Sequence, residues 1–213
     1  MAAKWPRFRI HPYVAGPAAG ASLGCLGPLL IGVDNHAVQA VHIIASTGCS
    51  WVALAFFVGL SQATRLKAAI MAPLALITGV LAYYLVKVLQ GGYRTFDLNT
   101  DPMGTDIHIS WAEVCDHFTV WCSAATVLGP LLGAAGNTAR SRQLRDLPAR
   151  MAVPVLVIIE SARRLSLSAA FSPPASRATW TATLAISIAA ATVILTIASV
   201  RHWRTRSDRN AIV

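Results

Sequence analysis

Six long apolar stretches, separated by short polar or charged connections, run along the chain at about 14–33, 40–60, 68–89, 111–135, 151–170 and 179–200. Each is long enough to cross ~30 Å of hydrocarbon as a helix rising about 1.5 Å per residue. The pattern predicts an all-α integral membrane protein: one domain over residues 1–213, folded as a bundle of six transmembrane helices. Lys4, Arg7 and Arg9 precede the first stretch as in a signal peptide, and Ser22-Leu23-Gly24-Cys25 is faintly like a lipoprotein cleavage site. The uncharged run continues past that cysteine to Val33, so a retained helix is expected.

The basic residues alternate with the stretches. One side of the predicted bundle carries Lys4, Arg7 and Arg9, then Arg65 and Lys67, then Arg140, Arg142, Arg145 and Arg150, then Arg201, Arg204, Arg206 and Arg209; the other has only Arg94 and Arg177. Short cytoplasmic loops hold the excess of Lys and Arg, so both termini are expected in the cytoplasm of a multi-pass cell-membrane protein.

Composition agrees with a lipid surround. The chain is 55% hydrophobic and 13% charged, against about 25% charged in a soluble domain. In a soluble protein the net charge of +9 would suggest nucleic acid. Here it reads as topology signals, and no nucleic-acid partner is expected. Cys25, Cys49, Cys115 and Cys122 form no CxxC and fall in apolar stretches, so they are expected to be packed free thiols. No HExxH, GxSxG, Walker A or paired-aspartate motif is present. The cofactor, if there is one, is not identified by these motifs, and a role other than catalysis is favoured.

Charges inside hydrocarbon are costly, so each is a functional candidate. The fourth stretch opens with Trp111, Glu113, Asp116, His117 and Trp121. Positions 113, 117 and 121 share a helical face, and 116 adjoins it. Asp116 and His117 would sit roughly 9–11 Å below the outer edge. This stripe suits the wall of an outward-facing cavity for a cationic or hydrogen-bond-donating group, with indole faces adding cation–π attraction. Interfacial anchoring by Trp111 and the carboxylates is the alternative. In the fifth stretch Glu160 falls near mid-bilayer, ~15 Å deep, where it can pair with Arg163 or Arg164. A self-neutralised pair that orients the helix is one reading; a cavity floor or proton relay is the other.

Trp51 and Tyr84 are expected as apolar walls, and Tyr83 and Lys87 lie beside Tyr84. His36, His42, His108 and His117 fall on the outer half. No two have a ligand-pair spacing on one helix, so metal or haem ligation by His42 and His117 would need the fold to bring them together. The long outward loop Gly91–Ser110 contains Asp97-Leu98-Asn99-Thr100-Asp101, the start of a calcium-loop pattern, but its glycine, Gly104, comes late and no glutamate closes it. A solvated acidic loop is the expectation. On the first helix Ala15/Ala19 and Gly16/Gly20 are small-xxx-small pairs, suited to close packing inside the bundle or against a partner subunit.

Trp51-Val52-Ala53-Leu54-Ala55-Phe56-Phe57-Val58-Gly59, followed by Arg65 and by Gly79 with Tyr83-Tyr84, resembles an uncharacterised family of small actinobacterial polytopic membrane proteins. Glu160 within a later apolar span fits it too. That family has no assigned activity, so the resemblance implies none. In architecture the chain is similar to the substrate-binding membrane subunits of energy-coupling-factor vitamin transporters. The likeness implies six helices with both ends inside, ligand bound from outside beneath loops, and docking through an alanine-xxx-alanine motif on the first helix, here Ala15/Ala19.

The first functional expectation is a small-molecule-binding or transport-associated protein. Glu113, Asp116 and His117 would fix a polar ligand group, Trp51, Tyr84 and Trp121 would form the walls, and Glu160 with Arg163 or Arg164 would close the floor. The second is a structural or assembly subunit of a larger membrane complex. A membrane haem protein or enzyme is the third.

Overall fold

The computed structural model describes residues 12–96, 107–141, 143–167 and 174–210. Among them are seven helices: α1 (Pro12–Leu29), α2 (His36–Ala45), α3 (Gly48–Ser61), α4 (Arg65–Leu89), α5 (Trp111–Ala139), α6 (Leu147–Leu167) and α7 (Pro174–Asn210). Two three-residue strands, β1 (Arg94–Phe96) and β2 (Ile107–Ile109), pair antiparallel with Thr95 opposite His108. They close the ends of the long connection between α4 and α5. Its calcium-like segment, from Asp97 to Asp106, lies outside the described residues, as do the N-terminal Lys4, Arg7 and Arg9 and the loop residue Arg142.

The architecture is helical, as expected, but the spans differ in detail. By length and composition α4, α5 and the Ser176–Arg201 part of α7 are apolar enough to cross a membrane; a fourth crossing is added if α2 and α3 count as one. The expected count of six therefore finds three or four helices that meet this measure. α1 is eighteen residues long and diluted by glycine and proline. α6 carries Arg150, Glu160, Arg163 and Arg164.

The expected 40–60 helix is two helices meeting at 66°. The break falls at Ser46-Thr47. Thr47 is extended and stands at the N-cap position of α3 without a side-chain capping bond; its hydroxyl and that of Ser50 donate instead to the Ile44 carbonyl at 2.7 and 2.5 Å. Both hydroxyls thus converge on the one Ile44 carbonyl, to which the Thr47 amide also donates at 3.2 Å, and these bonds stabilise the mid-helix bend in an apolar setting. Helix starts elsewhere follow local chemistry: Asn35, Thr64 and Ser110 cap α2, α4 and α5 with their side-chain oxygens.

α4 is the central helix, with α1, α3 and α5 packed around it. Glycines set the approach. A Cβ on Gly20 would collide with the Ala75 carbonyl, and one on Gly24 with the Gly79 carbonyl, so α1 lies backbone to backbone on α4. Gly129 and Gly133 of α5 meet Pro73 and the Ala68 carbonyl of α4, while Gly59 and Gly136 let α3 and α5 cross closely, Gly59 against Gly133 and Gly136 against the Phe56 carbonyl. The buried cluster is correspondingly small-residue rich: Ala55, Val58, Met71, Ala72, Ala75, Leu76 and Ala125. α6 and α7 pack mainly on each other.

The exterior is apolar. Leu66, Ile70, Leu74, Leu81, Leu85 and Leu89 are all exposed on α4, and Val120, Val127 and Leu131 on α5. An apolar rind along whole helices is the inverse of a water-facing surface and fits hydrocarbon.

At the Lys67 end of the bundle polar groups knit the connections. Asn137 and Arg140 donate to the Gln62 carbonyl at 2.7 and 3.2 Å. Arg150 donates to the carbonyls of Ala139 and Ser141, closing the C-terminus of α5. The Ser141 hydroxyl donates to Asp146, which is buried.

Candidate functional site

A cavity of about 520 Å³ opens at the opposite end of α4, between α3 and α5. It is built on the side of the α3–α5 crossing away from Gly59 and Gly133. α4 supplies Leu76, Val80, Tyr83, Tyr84 and Lys87 to it. α5 supplies Glu113, His117, Trp121, Ala124, Ala125, Leu128 and Leu132, an i, i+4, i+8 face continued downward by small and aliphatic residues. The bend between α2 and α3 brings Ser46, Gly48, Trp51 and Val52 to the third wall. Tyr93, just after α4, overhangs the mouth.

Polarity falls with depth. From Lys87 down to Leu76 is eleven residues, about 16 Å of helix. The mouth carries Lys87, Glu113, His117 and the tyrosines, whereas the floor is Leu76, Val80, Ala125, Leu128 and Leu132. Few polar groups over an apolar interior is the usual make-up of a small-molecule site.

Aromatic rings hold the mouth together. Lys87 Nζ stands 5.6 Å from the Tyr83 ring centroid and 5.2 Å from that of Tyr93, a cation between two π faces. Tyr84 is buried and meets Tyr83 edge-on at 5.3 Å and Phe118 at 6.2 Å. The Tyr93 ring lies 6.0 Å from the imidazole of His117. Tyr93 has a left-handed backbone, φ 64°, and Gly91 two residues earlier has φ 81°. This tight turn, held by the Ser110 amide donating to the Tyr93 carbonyl at 2.9 Å, throws the phenol back over the cavity. A left-handed β-carbon-bearing residue costs about 1–2 kcal/mol, so the position of this ring is specified against local preference.

His117 donates from Nδ1 to the Glu113 carbonyl at 2.9 Å. That bond fixes the tautomer and leaves Nε2 as the remaining polar atom of the ring. Among the described residues the ion pairs are Arg145 with Asp146 and Glu160 with Arg163 and Arg164. Lys87 and Glu113 both line the mouth and are in no ion pair with each other.

Of the expected site residues, the fold gathers Glu113, His117, Trp121, Trp51 and Tyr84 in one cavity. Asp116 is exposed and outside the lining, because one residue along a helix is a turn of 100° from His117. Glu160, Arg163 and Arg164 are also outside it. Glu160 accepts from Arg164 at 2.8 Å and pairs with Arg163 at 3.3 Å, and the Arg164 guanidinium stacks 5.5 Å from the ring centre of buried Trp180 on α7. This cluster fastens α6 to α7. His42 donates to the Gly27 carbonyl at 2.8 Å, where α2 turns away from α1, and is not part of the cavity lining. Among the described residues no group of three or more His, Cys, Asp or Glu is placed to hold a metal. Cys25, Cys49, Cys115 and Cys122 are free thiols.

Tyr83, Lys87 and Tyr93 complete the site beyond the residues expected for it. Tyr83 and Lys87 are an i, i+4 pair, and that spacing is the signal that carries them onto one face. Tyr93 depends on the turn after α4, which no periodicity encodes.

No curated protein and no solved structure matches the chain. Residues 7–100 and 110–211 match a family described only as a family of unknown function, DUF6518, and the chain belongs to that family.

Proposed function

We propose that this is a small-molecule-binding, transport-associated membrane protein whose cavity faces the outside. The observation that supports it is the single cavity joining Glu113, His117, Trp121, Trp51 and Tyr84 beneath Tyr93 and Lys87. It lies at the bundle end remote from Lys67, Arg140 and Arg150. In this reading α1, the bent α2–α3 pair, α4, α5, α6 and α7 make six crossings, with both termini and the basic connections inside. The Glu160–Arg164 pairing lowers the cost of placing α6 in lipid. The likeness to energy-coupling-factor substrate-binding subunits rests on size, crossings and an outward site, and carries no ligand identity.

The test is recovery of a ligand from purified full-length protein. A single small molecule should be released on denaturation and identified by mass spectrometry. Glu113→Gln and His117→Ala should each lose it while remaining monodisperse. Equal ligand in wild type and both variants would place binding elsewhere.

A second reading, an assembly subunit, is favoured by one feature. Gly20 and Gly24 of α1 are buried on α4 and Gly16 chiefly against Val58 of α3, but Ala15 and Ala19 are exposed on the outer face of α1. Stable co-purification of another membrane subunit, abolished by Ala19→Leu, would support that role.

A further inference from the structure

The geometry points to a more particular occupant: a single-chain zwitterionic amphiphile, its ammonium at Glu113, its anionic group at Lys87 and its chain along the floor. This rests on the cavity being the binding site and adds the class of ligand.

Three observations converge on it. The first is charge. Lys87 and Glu113 are opposite in sign, share one mouth, and do not pair with each other. The tyrosine rings about Lys87 stabilise its charge without using up its hydrogen-bond donors on a carboxylate. An anion drawn to Lys87 would be repelled by Glu113, and a cation drawn to Glu113 would be repelled by Lys87. A head carrying both charges satisfies each.

The second is depth. Below the mouth the lining is aliphatic, and Leu76, Val80 and Ala125 are buried. A compact polar zwitterion would leave this floor unfilled. An alkyl chain gains about 0.8 kcal/mol per methylene placed there, and a space of about 520 Å³ is of the size that takes one small molecule.

The third is the side opening. Trp121 and Leu128 belong to the lining yet are 55% and 50% exposed. Their neighbours Val120, Val127 and Leu131 continue as an exposed apolar surface. The groove therefore runs out into the face that hydrocarbon covers. A chain can slide in sideways from the bilayer while its head stays at the polar level of Lys87 and Glu113.

The experiment uses full-length protein held in an amphipathic polymer, free of detergent and lipid, with binding followed by native mass spectrometry and by Trp fluorescence. The probes are a twelve-carbon lysophosphatidylethanolamine, dodecyl phosphate, dodecylamine and tail-free glycerophosphoethanolamine. One equivalent of the zwitterionic amphiphile should bind saturably and change the fluorescence of Trp51 and Trp121. Lys87→Gln and Glu113→Gln should each weaken it about tenfold or more, the usual effect of losing a charged hydrogen-bond partner. Lys87→Gln should gain preference for dodecylamine, and Glu113→Gln for dodecyl phosphate. Leu128→Trp, at a half-exposed position where a larger ring has room, should weaken the tailed probe while both charges remain.

If the tail-free head binds as tightly as the tailed one, the site takes a small polar zwitterion; the amphiphile is then wrong and the cavity reading stands. If all tailed probes bind alike and no cavity variant matters, they are partitioning onto the apolar exterior and the inference fails. If a ligand recovered from the native protein is insensitive to Glu113 and His117, the cavity reading itself falls.

Discussion

A Cβ on Gly79 of α4 would stand 2.7 Å from Cζ3 of Trp51 on α3 and 2.8 Å from the Gly20 carbonyl oxygen on α1. One hydrogen in place of a side chain therefore seats both the first helix and a wall of the cavity. Gly79→Val should destabilise the protein by about 1–3 kcal/mol, the range for overpacking a filled core, and should shift the Trp emission. Gly48→Ala is the control, since nothing lies within 4 Å of the added carbon, and its melting temperature should stay near wild type. A tolerated Gly79→Val with unchanged emission would contradict the packing described.

Glu160 and Arg164 separate stability from binding. Glu160 is the acceptor for two arginines and holds α6 beside Trp180. Glu160→Gln should cost about 1–3 kcal/mol, between the values for exposed and buried pairs, with ligand affinity unchanged because the residue is outside the cavity. Thermal unfolding and ligand titration on the same sample check both halves. An unaltered melting temperature with lost binding would restore Glu160 to the cavity floor.

Tyr93 offers the opposite separation. Tyr93→Gly relieves its left-handed backbone, worth about 1–2 kcal/mol, while losing a cation–π contact worth about 0.5–1 kcal/mol. Net stability should change by less than about 1 kcal/mol, and ligand retention should fall as the cap over Lys87 disappears. Titration against the wild type measures this, and unchanged retention would mean that the ring does not cover the site.

Orientation can be read from single cysteines in a chain with Cys25, Cys49, Cys115 and Cys122 replaced by serine. A membrane-impermeant thiol reagent applied to intact cells should label a cysteine at position 94 and leave ones at positions 4 and 209 unlabelled until the membrane is opened. Labelling of either tail from outside would reverse or break the proposed path.

The sequence by itself determined what depends on chain length, local period and the cost of charge in hydrocarbon. Apolar runs placed α4, α5 and α7, and the 3.6-residue period put Glu113, His117 and Trp121 on one face, because backbone geometry fixes that relation before any helix meets another. The bend at Ser46-Thr47 was not among the expectations: residues 40–60 read as one span, and the break appears only with the hydroxyl bonds to the Ile44 carbonyl. The tertiary structure alone decided which faces meet. Glycine contacts fix the crossing of α1 on α4 and of α3 on α5, and that crossing leaves room between Trp51 and Trp121. The tertiary fold also leaves Glu160 with its own arginines and away from the cavity, and recruits Tyr93 through a turn with no period to betray it. Facing depends on the fit of side-chain volumes from distant parts of the chain, and no local pattern carries that information.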